Sequence, residues 1–379
     1  MTDFANRALL PAGLRDMLPP DAAHEAAIVV RLMNHFAAQG YDRVKPPLIE
    51  FEESLLDGAN AGTASQTFRV MDPLSQRMMG LRADMTPQVA RIATTRLARM
   101  ARPLRLSYAG QVLRVKGSQL RAERQFAQAG IELIGSDSPA ADAEVLILTA
   151  EALAELEVPG VSADLALPTL VPALFAELGL DGALAERLRA GLDHKDPSLV
   201  AEAGGDTARL LQTLISAAGP ADRAVATLRG LSLPPAAAAE RDRLAQVVDL
   251  VRKDMPELSL TVDPVENRGF EYHTGIGFTL FARNIGAEIG RGGRYAAGGA
   301  EPATGATLFM DSVLAALPGP LPVKRAFVPV GTPQDAARQA RQQGWVTVAG
   351  LDAAADADAE AKRLGCGYRL DGRKIIEVQ

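Results

Sequence analysis

Gln128 and Glu132 stand four positions apart in Arg124-Gln125-Phe126-Ala127-Gln128-Ala129-Gly130-Ile131-Glu132. In an extended chain, that even spacing puts both side chains on one face of a strand. An amide and a carboxylate so placed accept hydrogen bonds from an ammonium group and an imidazole N–H. A second group precedes them in Tyr108-Ala109-Gly110-Gln111-Val112-Leu113-Arg114. Arg114 ends a strand there, and its forked guanidinium suits a carboxylate or phosphate bidentately. By itself Arg114 serves equally well in a structural ion pair, and Glu132 in a half-buried salt bridge with an arginine. His273, after Tyr272, can hydrogen-bond a ligand imidazole, with a tautomer and charge that vary near neutral pH. The plainer alternative is a turn histidine before Thr274-Gly275.

Other chemistries find little in this chain. Gly290-Arg291-Gly292-Gly293-Arg294-Tyr295 is glycine-rich without the spacing of a Walker or dinucleotide loop, and its glycines let a backbone or ligand approach closely. His24-Glu25 lacks a second zinc-binding histidine; 4 histidines and 1 cysteine, scattered, make no metal cluster. No Gly-x-Ser-x-Gly elbow occurs.

The elements that must position these groups follow from the apolar pattern. Residues 20–40 have a helical period ended by Gly40, and Tyr41–Ile49 reads as a strand bent or held at an edge by Pro46-Pro47. Strands are expected at 66–70 and 78–81, a helix over 86–100, strands at 104–113 and 130–134, and a helix over 140–158. Residues 165–255 are rich in Ala, Leu and Arg and read as mostly helical. Strands return at 258–262, 277–282 and 287–290. This is an α+β plan: an antiparallel sheet flanked by helices and completed from both sides of a helical insertion. After the linker Pro318-Gly319-Pro320-Leu321-Pro322, strands at 325–330, 346–350 and 374–378 alternate with helices at 333–343 and 357–364, a small βαβαβ-like α/β domain.

Composition narrows the partners. The 379 residues carry a formal charge of −6 with pI near 5.4, and residues 325–379 hold eight Lys/Arg against seven Asp/Glu, a poor platform for nucleic acid. The single cysteine, Cys366, fits a reducing cytoplasm. The absence of a signal pattern and of a long apolar run gives the expectation of a soluble protein with no membrane partner.

Four stretches together resemble, in order, the active-site motifs of the class II histidyl-tRNA synthetase family. They are Gly40–Val44 with Pro46–Glu50, Leu81–Pro87, Tyr108–Gly135 and Arg268-Gly269-Phe270-Glu271-Tyr272. The resemblance covers nearly the whole chain: 1–317 as the synthetase-like core with its insertion at about 165–255, and 325–379 as a shortened anticodon-binding-like domain. It implies an amino-acid pocket of Asp84, Thr86, Arg114, Gln128, Glu132, Arg268, Tyr272 and His273. Asp84 stands where the family usually has glutamate, and His273 where it has a second tyrosine. Two groups that hold ATP in the synthetases are replaced. Lys116 stands in place of the glutamate for the adenine amino group, and Ser312 in place of the arginine for the γ-phosphate. A retained pocket without those clamps resembles the regulatory subunits of ATP phosphoribosyltransferase, the synthetase paralogues of histidine biosynthesis. That likeness implies a non-catalytic chain without cofactor or metal. It would be a homodimer within a hetero-octamer with a short-form catalytic subunit, with L-histidine as feedback effector. The alternatives are a divergent histidyl-tRNA synthetase and another synthetase paralogue that modifies a protein or binds RNA.

Overall fold

A computed structural model of the chain describes residues 9–56, 64–117, 122–267 and 272–378. The chain divides into two compact units, one ending at Pro318 and one beginning at Gly319. Strands of the first, in chain order, are β1 (Asp42–Arg43), β2 (Ile49–Phe51), β3 (Arg69–Met71), β4 (Met78–Leu81), β5 (Leu104–Leu113) and β6 (Gln125–Ile134). They continue with β7 (Ser162–Ala166), β8 (Gly219–Pro220), β9 (Ser259–Asp263), β10 (Gly277–Phe281), β11 (Gly290–Ala297) and β12 (Glu301–Phe309). Nine of these build one sheet in the order β1-β5-β6-β12-β11-β10-β7-β9-β8; β2, β4 and β3 form a small second sheet. Neighbours in the large sheet are antiparallel except β1–β5 and β7–β9, which run parallel. This is the expected α+β architecture.

Strand β6 lies between two packed layers, and all but its first residue are buried. Ala127, Ala129, Ile131 and Leu133 join the core formed with helices Asp21–Ala38 and Pro139–Glu155. Phe126 and Ile134, of the opposite parity, pack in a second cluster with Met85, Tyr108, Tyr295 and Phe309. Gln128 and Glu132 share that second face, as their spacing requires. The helix Pro139–Glu155 starts where Ser138 accepts a hydrogen bond from the Ala140 amide, and it is buried nearly all round, as suits a helix inside the core.

Several boundaries differ from expectation. Pro46-Pro47 divides the expected first strand between the two sheets, and the freed carbonyls are used: Arg82 donates to Pro46 O at 3.1 Å and Gln88 to Pro47 O at 2.8 Å. The strand expected at 66–70 is β3, Arg69–Met71, in the small sheet. The helix after Thr86 is α-helical only to Arg91, then π-helical over Ile92–Arg96. Thr94 and Thr95 hydroxyls donate to the Ala90 and Arg91 carbonyls there, and Arg102 reaches the Ala93 carbonyl, so side chains take up helix acceptors. β7 precedes the helical insertion, which runs from Leu170 to Asp254 with only β8 inside it. β11 begins at Gly290, where the expected strand ended, and carries the glycine-rich segment.

In the second unit, β13 (Arg325–Val328), β14 (Val346–Ala349), β15 (Tyr368–Asp371) and β16 (Lys374–Glu377) order as β14-β13-β15-β16. Ala326 packs with Ala336 and Ala340 of one helix, and its neighbour Phe327 with Ala361 of the other, so the helices cover opposite faces. β15 is the third parallel strand, and the expected last strand is its hairpin return through Gly372 (φ +58°). The polar Arg369 inside it hid β15 from its pattern.

Candidate functional site

A cavity of about 790 Å³ opens beside the second face of the large sheet. Glu132 lies on its floor with no solvent exposure. Tyr295 on β11 donates to Glu132 Oε2 at 2.9 Å, and Tyr108 on β5 to Oε1 at 3.3 Å. Thr307 Oγ1 is 2.6 Å and Thr86 Oγ1 3.2 Å from the Tyr108 hydroxyl, which closes a hydroxyl ring around the carboxylate. Burial outweighs these bonds and pushes the Glu132 carboxyl up to about 8. Both tyrosine hydroxyls are raised well above their usual range, first by burial and then by the carboxylate beside them.

Above this ring, the turn before the Thr86 helix is held by Gln128. Its amide oxygen accepts from the Met85 N–H at 3.1 Å, and its nitrogen donates to Asp84 Oδ2 at 3.0 Å. Asp84 Oδ1 also accepts from the Thr86 N–H at 2.8 Å. Asp84 lines the cavity, whereas Gln128 is fully buried behind it and orients it. Arg114 donates to the Ala83 carbonyl at 3.3 Å and lies over the Phe126 ring at 5.1 Å. His273, 7% exposed, stacks on Tyr272 with ring centroids 4.0 Å apart. Its ring fits against Gly293 (φ +147°), where a Cβ would lie 2.6 Å from His273 Cδ2.

Of the eight residues expected in the pocket, Asp84, Thr86, Arg114, Glu132, Tyr272 and His273 line the cavity and Gln128 supports it. Arg268 lies outside the described residues. Lys116 is exposed, and Ser312 is buried in the helix Met310–Ala316; neither is among the residues of the cavity wall. Among the described residues, no helix is long and apolar enough to cross a membrane.

Comparison with known proteins agrees with this fold. The family model "Histidyl-tRNA synthetase" matches residues 13–313. An ATP phosphoribosyltransferase regulatory subunit of Paramagnetospirillum magneticum is 74% identical over 379 residues, covering 100% of both chains. One from Rhodospirillum centenum is 56% identical, over 98% of this chain and 97% of the relative. A solved ATP phosphoribosyltransferase regulatory subunit/histidyl-tRNA synthetase from Bacillus halodurans superposes with a TM-score of 0.80 at 24% identity, covering 94% of this chain and 96% of that one, a likeness of fold. This chain belongs to the family of ATP phosphoribosyltransferase regulatory subunits.

As a regulatory-subunit family member, it uses several residues that strand and motif reasoning did not assign to the pocket. Tyr108 and Tyr295 are the donors to Glu132, and Thr307 joins them from β12. Arg291 also lines the cavity. A local signal for two of these was present: Arg291, Gly293 and Tyr295 share parity along β11, so Tyr295 and Arg291 face one side. Arg294, of the other parity, points away into a buried ion pair with Asp142 at 2.8 Å, and is structural.

Proposed function

We propose that this chain is a non-catalytic regulatory subunit of ATP phosphoribosyltransferase whose cavity binds free L-histidine as the feedback effector. One observation carries the reading: a fully buried, ring-bonded carboxylate, Glu132, shares a small-molecule cavity with the acid Asp84 and the cation Arg114. Asp84 holds the ligand ammonium, Glu132 accepts the imidazole N–H, and Thr86, Tyr272 and His273 complete the lining. Gln128 acts through Asp84. Arg268 contributes charge for the ligand carboxylate. The cavity volume falls in the ~300–1,000 Å³ range usual for small-molecule sites.

The chain pairs with itself and then with a short-form catalytic subunit, as a hetero-octamer in the cytoplasm. The names of its relatives support that partner. Residues 1–317 act as the effector-binding core and 325–379 as the shortened anticodon-binding-like domain. Lys116 and Ser312, in place of two ATP-holding groups, support the loss of amino-acid activation. A cation acting on transition-state charge is worth orders of magnitude in rate.

Two measurements test this. The purified chain should show no histidine-dependent exchange of pyrophosphate into ATP; exchange at synthetase-like rates would make it a divergent synthetase instead. In the complex with the catalytic subunit, Glu132→Ala and Asp84→Ala should each weaken histidine inhibition at least tenfold, or about 1.4 kcal/mol. Unchanged inhibition in both variants would move the effector site out of this cavity.

A further inference from the structure

In the second unit, β14 is the outer strand of its sheet, and no further strand stands beyond it among the described residues. It pairs with β13 alone, with Arg325 opposite Val346 and Val328 opposite Ala349. Val346 and Gly350 donate their N–H groups toward β13, to the Lys324 and Val328 carbonyls. Backbone groups alternate sides along a strand, so Thr347 and Ala349 turn theirs outward to the free edge. Such an edge is a template for another strand, and proteins commonly blunt it with lysine, proline or a bulge. Val346-Thr347-Val348-Ala349 has none of these, and its register with β13 is unbroken. Val346 is 44% exposed, and Leu351, just past the strand, 93%.

The two ends of this edge differ in charge. At its start Lys324 lies over the Trp345 ring, 5.7 Å from the centroid, and Arg341 donates to the Thr347 hydroxyl. Past its end come Asp352 and Asp356. Lys324 and Asp352 are both exposed, and neither has an ion-pair partner among the described residues. An edge basic at one end and acidic at the other complements itself when two copies run antiparallel. A two-fold axis at Val348 sets Thr347 of one copy opposite Ala349 of the other, so that their outward N–H and C=O groups pair. The same register brings the exposed Leu351 to Trp345 of the other copy, and Asp352 near Lys324. One sequence thus supplies both halves of the contact, as an isologous interface requires.

We propose that β14 is a self-association edge: two chains join their second units strand to strand, and two four-stranded sheets become one. The contact is independent of the cavity and of any pairing through the first unit. So short a ladder binds weakly alone and gains from copies already held in one assembly.

Disulfide trapping in the full-length chain is the test. Val348→Cys, in a Cys366→Ala background that removes the native thiol, places two thiols at the axis. Val348 meets itself there as a non-hydrogen-bonded pair, with Cα atoms about 4.5 Å apart, inside the roughly 4.4–6.8 Å that a disulfide spans. Val330→Cys in the same background is the collision control: Val330 is more exposed than Val348 but follows the inner strand β13. Val348→Cys should cross-link about tenfold faster than Val330→Cys or more, as a held contact raises effective concentration. Ala349→Pro deletes an outward N–H while sparing the ladder to β13, and should bring the Val348→Cys rate down to that of the control. Asp352→Lys should slow it as well and serves if the proline variant unfolds; adding Lys324→Glu to Asp352→Lys should restore it. Cross-linking no faster than the control, or unaffected by Ala349→Pro and Asp352→Lys, overturns the proposal. So does a rate that collapses when the catalytic subunit is added, which gives the edge to that partner instead. Light scattering on Ala349→Pro reads any pairing through the first unit separately, since that pairing should persist.

Discussion

Gly305 on β12 lies opposite Glu132 on β6, and a side chain at 305 would occupy the space of the Glu132 carboxylate. The buried acid exists because its strand partner has no Cβ. Gly130 has the matching role two residues along β6, where a Cβ would lie 2.5 Å from the Tyr108 hydroxyl. The large sheet is thus hollowed at two glycines to hold one carboxylate and the tyrosine that bonds it.

Gly305→Ala should therefore act on both stability and ligand binding. Displacing Glu132 from a packed layer costs about 1–3 kcal/mol, as overpacking does. The expected result is a lower melting temperature together with lost histidine binding. A variant that melts and binds like wild type would show that Glu132 has room to move.

The Glu132 carboxyl makes a signed prediction about pH. Its value is about 8 in the folded chain against 4.5 ordinarily. Between these values the folded chain holds a proton that the unfolded chain has lost, so this group makes stability fall as pH rises, levelling off above about 8. Glu132→Gln imitates the protonated acid. It should match wild type near pH 5 and exceed it by up to a few kcal/mol near pH 9. Denaturant unfolding of both proteins at the two pH values checks this, and a constant difference would disprove it.

Histidine binding should also be proton-linked. If a ligand N–H meets Glu132, binding favours the ionised carboxylate and releases its proton. Calorimetry at pH 7 in buffers of different ionisation enthalpy should then report proton release from wild type, and less from Glu132→Gln. Equal enthalpies in all buffers would place the ligand away from Glu132.

Arg294 gives a prediction outside the cavity. It donates to Asp142 and to the Ser136 and Ser138 carbonyls, and Thr304 donates to Asp142 at 2.6 Å. Arg294→Ala leaves a buried carboxylate without its main partner, which costs about 3–5 kcal/mol. The variant Arg294→Met with Asp142→Leu should recover most of that loss. Chemical denaturation of the three proteins checks both statements.

The sequence alone determined what local periodicity carries. Strand 104–113 appears at the expected limits, and the parity of Gln128 and Glu132 holds because alternation along one strand is a local property. The order of the motifs identified the family, since that order needs no contact to be read. Tertiary structure decided the rest. Gln128 and Glu132 look equivalent in sequence, yet one is tied up by Met85 and Asp84 and the other forms the cavity floor. The raised carboxyl of Glu132 depends on burial by residues as distant as Tyr295 and Gly305, and desolvation leaves no trace in a local pattern. Arg291 and Arg294, three residues apart, are divided between cavity and core by the layer each strand face meets. That assignment exists only once the sheet is packed.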